Sequence, residues 1–198
     1  DRRVVFVGDS SFAVIDLLAA VGSRCTVISR LRLDANLRQP PPPRTGKPGR
    51  PARQGAAMAK LKDQAVDPRT SWRRVTVNGW YGNQTRTLEL ATGTASWNRK
   101  GSHVPLRWVL VKDAESDREL QAFFSTDPGL APETIVAYFI RRWQVEVTFA
   151  ETRAHLGAET QRQWSDLAIL RTTPALLGLY SLICLWSGDL MSKAAGPR

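Results

Sequence analysis

AYFIRRWQVEVTFAETRAHLG, residues 137–157, is the stretch that decides the fold. It contains no Gly or Pro before its last residue, and its good helix formers outnumber its β-branched residues. That composition predicts one helix. We expect the helix to begin in the acidic turn around Glu133 and to end at Gly157.

One face of this predicted helix carries an unusual set of side chains. They follow each other at steps of three or four residues and therefore share a face: Phe139, Arg142, Glu146, Phe149 and Arg153. Glu is rarely buried unless it is paired or binds a metal. A solvated Arg142–Glu146 pair contributes about 0.2–0.5 kcal/mol and is one explanation, while a functional carboxylate is the other. The helix alone does not decide between them.

The composition indicates a folded protein with a polyanionic partner. The chain has 198 residues, 42% of them hydrophobic, and a formal net charge of +10. That length is enough for one substantial core. The charge favours nucleic acid first and an anionic membrane surface second.

The cysteines and histidines do not have metal-site spacing. Cys25 and Cys184 are far apart in apolar runs, which predicts buried free thiols in a reducing compartment. The longest apolar run, residues 175–186, is too short to span a bilayer and predicts a buried helix. The chain opens directly into an apolar run and does not begin with Met, so we expect an N-terminal part to be missing.

The first 30 residues predict a β-α-β unit. Residues 4–7, VVFV, form a short apolar run typical of a buried strand. A helix over about residues 12–21 should end at Gly22, and residues 25–29 predict a second strand parallel to the first. Asp9 follows the first strand, where open α/β sheets place their active sites. It is equally a good N-cap for the next helix, which is the alternative.

Residues 38–62 are a basic, Pro- and Gly-rich strap with seven basic and no acidic residues. The strap cannot form a core, so it is either a linker or a contact to a phosphate backbone. The candidates for phosphate contact are Arg44, Lys47, Arg50 and Arg53.

Residues 72–126 predict strands near residues 74–77, 86–92, 106–111 and 122–126. The first three form a small antiparallel sheet, although the third could instead join the main sheet. Four Trp and Tyr81 alternate with basic residues here, which suits stacking on bases or ordinary cross-strand packing. Trp80, beside an Asn-Gly turn, is expected to project. Residues 167–186 predict a helix over the sheet, broken or kinked at Pro174.

These parts resemble the catalytic region of DDE-type insertion-sequence transposases. VVFVGDSSF is similar to the family's strand that ends in the second catalytic Asp, here Asp9. The spacing of the family's Tyr-x2-Arg-x3-Glu-x6-Lys signature is matched in this chain. Phe replaces the signature's Tyr, with Tyr138 directly before it, and Arg replaces the signature's Lys. The matching positions are Phe139, Arg142, Glu146 and Arg153.

The resemblance implies an α/β (α+β) fold, a ribonuclease-H-like sheet with flanking helices and an inserted small β-rich subdomain. Residues 1–37 would belong to the core, 38–70 form the strap, 71–126 form the insertion that returns to the core, and 127–198 form the helical part with the Glu helix. The family also has a first catalytic Asp on an upstream strand. Only Asp1 precedes Asp9, too closely to serve, so we expect that Asp and the N-terminal core strands in the missing part.

The family's chemistry is DNA strand cleavage and strand transfer with two divalent cations, Mg²⁺ or Mn²⁺, about 3.5–4 Å apart. By resemblance, Asp9 and Glu146 are catalytic metal ligands, and Arg142 and Arg153 hold phosphates. The aromatic position at Phe139, with Tyr138 beside it, would contact DNA near the cut.

The implied partners are transposon terminal repeats and target DNA, bound by a dimer at the nucleoid in the bacterial cytoplasm, with no membrane. Without a first Asp the chain is expected to be inactive alone. The alternatives are a non-catalytic nucleic-acid-binding remnant and a relict that does not fold stably. A sugar or nucleotide enzyme is disfavoured because the sequence has no Gly-rich phosphate loop.

Overall fold

A computed structural model describes residues 4–22, 24–42, 54–80, 84–99, 102–113, 115, 119–160 and 162–194. The chain divides into two compact units, Asp1–Arg142 and Trp143–Arg198. In the described residues, the first unit contains the sheet and three α-helices, and the second contains two α-helices.

The first unit is built on a seven-stranded mixed sheet. Its strands are β1 Val4–Val7, β2 Cys25–Arg30, β3 Leu37–Arg38, β4 Arg73–Trp80, β5 Gln84–Arg99, β6 Ser102–Asp113 and β7 Gln121–Ser125. The strand order is β1-β2-β7-β6-β5-β3, with β4 also paired to β5. β1 and β2 are parallel and the other pairs are antiparallel. The predicted mixed α/β class and the parallel β1–β2 pair are confirmed.

The predicted β-rich insertion is part of this same sheet. β7 pairs with β2, with Ile28 opposite Ser125, and with β6, with Val109 opposite Phe123. The expectation of a separate small sheet is therefore wrong, and the alternative that the 106–111 strand joins the main sheet is right. β4, β5, β6 and β7 follow one another as antiparallel neighbours, whereas the pairing of β2 with β7 joins strands that are far apart in the chain.

Helices cover both faces of the sheet in the first unit. A 3₁₀ turn at Ser10–Phe12 is followed by α1 Ile15–Val21, α2 Leu61–Val66 and α3 Pro132–Arg141. The layer containing α1 and α2 buries Leu18, Leu61, Leu106, Leu110 and Phe124. The layer containing α3 buries Ile28, Phe123, Ile135, Val136 and Phe139. The core thus lies on both sides of the central strands.

β1 is an edge strand and is not buried as predicted. Val4 is 59% and Phe6 41% exposed. Apolar residues on both faces are typical of a central strand. Among the described residues, however, β1 is hydrogen-bonded only to β2 and lies at the edge of the sheet. The sequence pattern therefore identified the strand correctly, and only its predicted burial is wrong for the described chain.

The predicted helix over residues 137–157 is two helices. α3 ends at Arg141 and α4 spans Trp143–Leu156, with Arg142 between them. The Arg142 N–H donates to the Phe139 carbonyl at 3.1 Å, an i→i−3 bond that tightens the end of α3. The expected start is confirmed, because Pro132 and Glu133 form the first turn. The stop at Gly157 is confirmed too, since that residue has φ +69.

α5 Asp166–Ala194 continues through Pro174 and is exposed. Of its span Asp166–Met191, with a mean hydropathy of 1.5, 0% is buried. The prediction of a buried helix that Pro174 breaks is therefore wrong. By length and composition alone this span could also cross a membrane. The apolar run at residues 175–186, judged too short to span a bilayer, therefore underestimated the length of the apolar helix. Both cysteines are free, but Cys184 is exposed and Cys25 half-buried, which corrects their expected burial.

Candidate functional site

The backbone of Asp9 is held by the parallel pair β1–β2. The Gly8 N–H donates to the Ile28 carbonyl at 3.0 Å, and the Ser29 hydroxyl donates to the Asp9 carbonyl at 2.5 Å. Asp9 itself is exposed, immediately beyond the carboxyl end of β1. Two parallel strands end at this edge, so the fold presents the Asp9 carboxylate where α/β sheets bind ligands.

The Asp9 carboxylate caps the 3₁₀ turn. Its Oδ1 accepts the Ser11 N–H at 2.8 Å and also the Ser11 hydroxyl. The pKa of Asp9 lies below its ordinary value of 3.8, first because the Ser11 hydroxyl and then the Ser11 N–H donate to the carboxylate. Desolvation acts in the opposite direction, and the charge of Arg142 makes the smallest contribution to the lowering. The predicted N-cap is thus confirmed.

Ser11→Ala is expected to raise the pKa of Asp9 towards its ordinary value, because the substitution removes the largest cause of the shift. A lowered folded pKa contributes stability that is present above the unfolded pKa and is lost as pH falls through the folded pKa. The variant should therefore be less stable than the parent at neutral pH, and the difference between them should shrink as pH falls through the pKa of Asp9 in the folded parent. An NMR titration of the Asp9 carboxyl carbon checks this.

The titration of Asp67 in the same spectra is the internal control. The Arg69 side chain lowers the pKa of Asp67 to about 2, and Ser11→Ala should leave that value unchanged. An unaltered Asp9 titration in the variant would show that the hydroxyl does not set its pKa.

Arg142 is the predicted phosphate ligand that the first unit brings to Asp9. Its charge is among the causes that lower the pKa of Asp9. The side chain is half-buried, and its guanidinium carbon lies 5.6 Å from the centre of the Phe139 ring. A cation held beside an exposed carboxylate is an arrangement that can receive a phosphate close to that carboxylate.

Glu146 and Arg153 lie on α4 in the second unit, where Glu146 is half-buried. Arg153 donates to both oxygens of Glu159, from Nε and Nη2, each at 2.6 Å. Glu159 raises the pKa of Arg153. Phosphate binding by Arg153 stays a prediction, and in this structure its guanidinium group is paired with the Glu159 carboxylate.

Phe139 is a core residue and not an exposed DNA contact as expected. Its ring is 7% exposed and lies 4.4 Å, centre to centre, from the ring of Phe123. A buried position also suits Phe better than Tyr, since a buried hydroxyl needs a hydrogen-bond partner. Tyr138 remains a candidate, because it is half-buried and lines a surface hollow with Arg141.

The aromatic residues of the β-rich segment also belong to the core. Trp80 is 3% exposed, so its expected projection towards DNA is wrong. Trp108 is 5% exposed, and Trp72 and Trp97 pack against the α1 and α2 layer. Ordinary packing within the sheet is the alternative that the structure favours for these residues.

The basic residues of the same segment are mostly paired with acids. The ion pairs are Arg73–Glu133, Arg74–Glu89, Arg86–Glu115 and Arg99–Asp16. Tyr81, Lys100 and the strap candidates Arg44, Lys47, Arg50 and Arg53 lie outside the described residues. The described part of this segment is therefore not the stacking surface that its composition favoured.

The exposed tryptophans lie in the second unit, where the sequence interpretation did not predict an aromatic contact to nucleic acid. Trp164 is 101% exposed, Trp186 is 59% and Trp143 is 41% exposed. The signal for Trp164 was its place in a polar segment between Gln163 and Ser165. An aromatic residue without apolar neighbours in sequence is a better candidate for base stacking than one in an alternating strand.

The predicted metal ligands are two carboxylates, Asp9 in the first unit and Glu146 in the second. Among the described residues, no three His, Cys, Asp or Glu side chains form a group that could hold a metal ion. Mg²⁺ takes a few carboxylates together with water and phosphate oxygens. The exposed Asp9 carboxylate suits one such ligand.

No protein-family model and no curated protein matches this chain. The geometry around Asp9 and the residue patterns are therefore the basis for any functional conclusion.

Proposed function

We propose that the chain is a DNA-binding protein of the DDE-transposase type with a ribonuclease-H-like core. The observation that carries this proposal is Asp9, an exposed and ionised carboxylate at the carboxyl end of the parallel β1–β2 pair, with the Arg142 charge acting on it. The mixed sheet with helices on both faces is compatible with that core. The net charge of +10 favours a nucleic-acid partner.

In this proposal Asp9 and Glu146 are metal ligands and Arg142 holds a phosphate of the DNA strand. Bound Mg²⁺ or Mn²⁺ would supply an activated oxygen nucleophile and would stabilise the leaving oxygen. Among the described residues, Ser11 fixes the Asp9 carboxylate through two hydrogen bonds, and the positive charge of Arg142 favours the ionised form of that carboxylate.

Calorimetric titration of Mn²⁺ into the parent chain and into Asp9→Asn and Glu146→Gln tests the proposal. We expect Mn²⁺ binding by the parent, and its loss in both variants because each removes a ligand charge. Asp63→Asn is the matched control, since Asp63 is an exposed acid in the first turn of α2. Mn²⁺ binding that all three variants retain would contradict the assignment of Asp9 and Glu146.

Non-catalytic nucleic-acid binding is the second candidate function. Its basis is the net charge of +10, which favours a polyanionic partner without requiring a metal. It predicts DNA binding that does not respond to Mn²⁺ and is unchanged in Asp9→Asn. A chain that binds neither Mn²⁺ nor DNA would overturn both candidates.

A further inference from the structure

A cleft of ≈ 420 Å³ opens in the first unit beside Asp9. Ser10, the next residue in the chain, lines it, together with Arg30 at the end of β2 and Lys62 in the first turn of α2. Part of its wall is apolar and includes Leu33 and Leu120. The cleft thus combines cations with an apolar surface in a volume within the range of small-ligand sites.

Arg30 and Lys62 are the cations available to a ligand. Both side chains are exposed, and neither makes a hydrogen bond or an ion pair with a residue that the structure describes. Arg32, also in the lining, is committed to Asp34 through two hydrogen bonds of 2.9 and 2.8 Å. Glu119 is a further acid in the lining. With Arg32 and Asp34 paired, the two positive charges of Arg30 and Lys62 and the negative charge of Glu119 leave the lining with a net charge of +1. A positive lining favours an anionic ligand.

The two cations are carried by elements that backbone bonds fix to each other. The Lys62 N–H donates to the Leu33 carbonyl at 3.2 Å, and the Leu31 N–H donates to the Ala122 carbonyl at 2.8 Å. The first bond connects α2 to the segment after β2, and the second connects that segment to β7. The fold thereby sets the spacing of the two backbone positions that carry the cations, and the side chains are ordered only when a ligand binds.

The cleft is directly connected to Asp9. The Ser29 hydroxyl donates to the Asp9 carbonyl, and Arg30 is the next residue along β2. Ser10, next to Asp9, and Arg30 line the same cleft, so a nucleic-acid strand that reaches Asp9 can place a neighbouring nucleotide in it. The carboxylate repels a phosphate by itself, so nearby cations are needed to hold one there.

We propose that this cleft binds one nucleotide unit of a nucleic-acid strand, with Arg30 and Lys62 holding its phosphate and the Leu33–Leu120 wall covering its sugar or base. This inference rests on the proposed function and adds residues and a ligand unit to it. The same chemistry would accept a free mononucleotide, and the experiment below separates the two sources.

The double variant Arg30→Gln/Lys62→Gln is compared with the parent and with Arg24→Gln. Arg24 is an exposed arginine that directly precedes β2, at the opposite end of that strand from Arg30. The affinity for a fluorescein-labelled duplex and for a labelled single strand is measured by anisotropy over a range of salt concentrations. Because both cations hold the same phosphate, their loss should reduce the slope of log K against log salt by about 0.9 for duplex and about 0.7 for single-stranded DNA.

The second arm titrates thymidine 5′-monophosphate and follows the Leu33 and Leu120 methyl signals by NMR. In one outcome the parent shows saturable shifts, the double variant loses them, and the two proteins bind DNA with the same affinity. That outcome would assign the cleft to a free nucleotide and overturn its role in binding a nucleic-acid strand. If the double variant binds DNA more weakly and with less salt dependence, and Arg24→Gln behaves like the parent, the result supports binding of a nucleic-acid strand in the cleft.

The outcomes for the inference and for the proposed function are distinct. If the parent binds DNA and the double variant matches Arg24→Gln in affinity and salt slope, the cleft assignment is wrong while DNA binding stands. If the parent binds no DNA, the proposed function fails, and loss of thymidine 5′-monophosphate shifts in the double variant would leave the cleft as a nucleotide site.

Discussion

Phe139→Ala is expected to lower the free energy of unfolding of the first unit by about 3–5 kcal/mol, the usual loss for a buried Phe truncated to Ala. The ring is 7% exposed and packs 4.4 Å from Phe123, so its removal leaves a cavity between α3 and the sheet. The DNA affinity of the folded fraction should remain at the parent value. Urea denaturation followed by far-UV circular dichroism measures the loss of stability.

Phe149→Ala is the matched control for this substitution. Phe149 is on α4 and is 40% exposed, so a clearly smaller loss of stability is expected. Anisotropy under conditions where each variant is folded compares their DNA affinities. If Phe139→Ala were as stable as the parent but bound DNA more weakly, the ring would be a DNA contact, and its burial would not describe the DNA-bound protein.

Trp108→Ala is expected to have a similarly large effect, about 3–5 kcal/mol, because the ring is 5% exposed within the layer that α1 and α2 cover. Trp164→Ala removes the same side chain from a position that is 101% exposed and should change stability by no more than about 0.5 kcal/mol. Equal losses in these two variants would contradict the placement of Trp108 in the core.

Gly93 provides a second test of the same packing. It lies opposite Trp108 on the neighbouring strand, and a Cβ added there would be 2.7 Å from Cζ2 of the indole. Gly93→Ala should therefore cost about 1–3 kcal/mol in the parent, as overpacking does. In the Trp108→Ala background the clash is absent, so the cost should largely disappear. Additive losses would show that the ring does not cover Gly93.

The sequence by itself determined those features that depend on a few neighbouring residues. The apolar runs at residues 4–7 and 25–29, separated by a helix that Gly22 ends, specified a parallel pair and placed Asp9 at its carboxyl end. Gly157 specified the end of α4, because its φ of +69 strongly favours Gly. Asp9 as a cap followed from the residue type alone.

Only the tertiary structure decided which apolar residues are covered and which charges are already paired. Trp80 and Phe139 are in the core because α3 packs on the sheet, whereas the equally apolar α5 remains exposed. Arg153 is paired with Glu159, which the spacing along the helix did not indicate. Arg30 and Lys62, 32 positions apart in the sequence, meet in one cleft. Burial and charge pairing depend on contacts between distant segments, so the order of residues alone does not specify them.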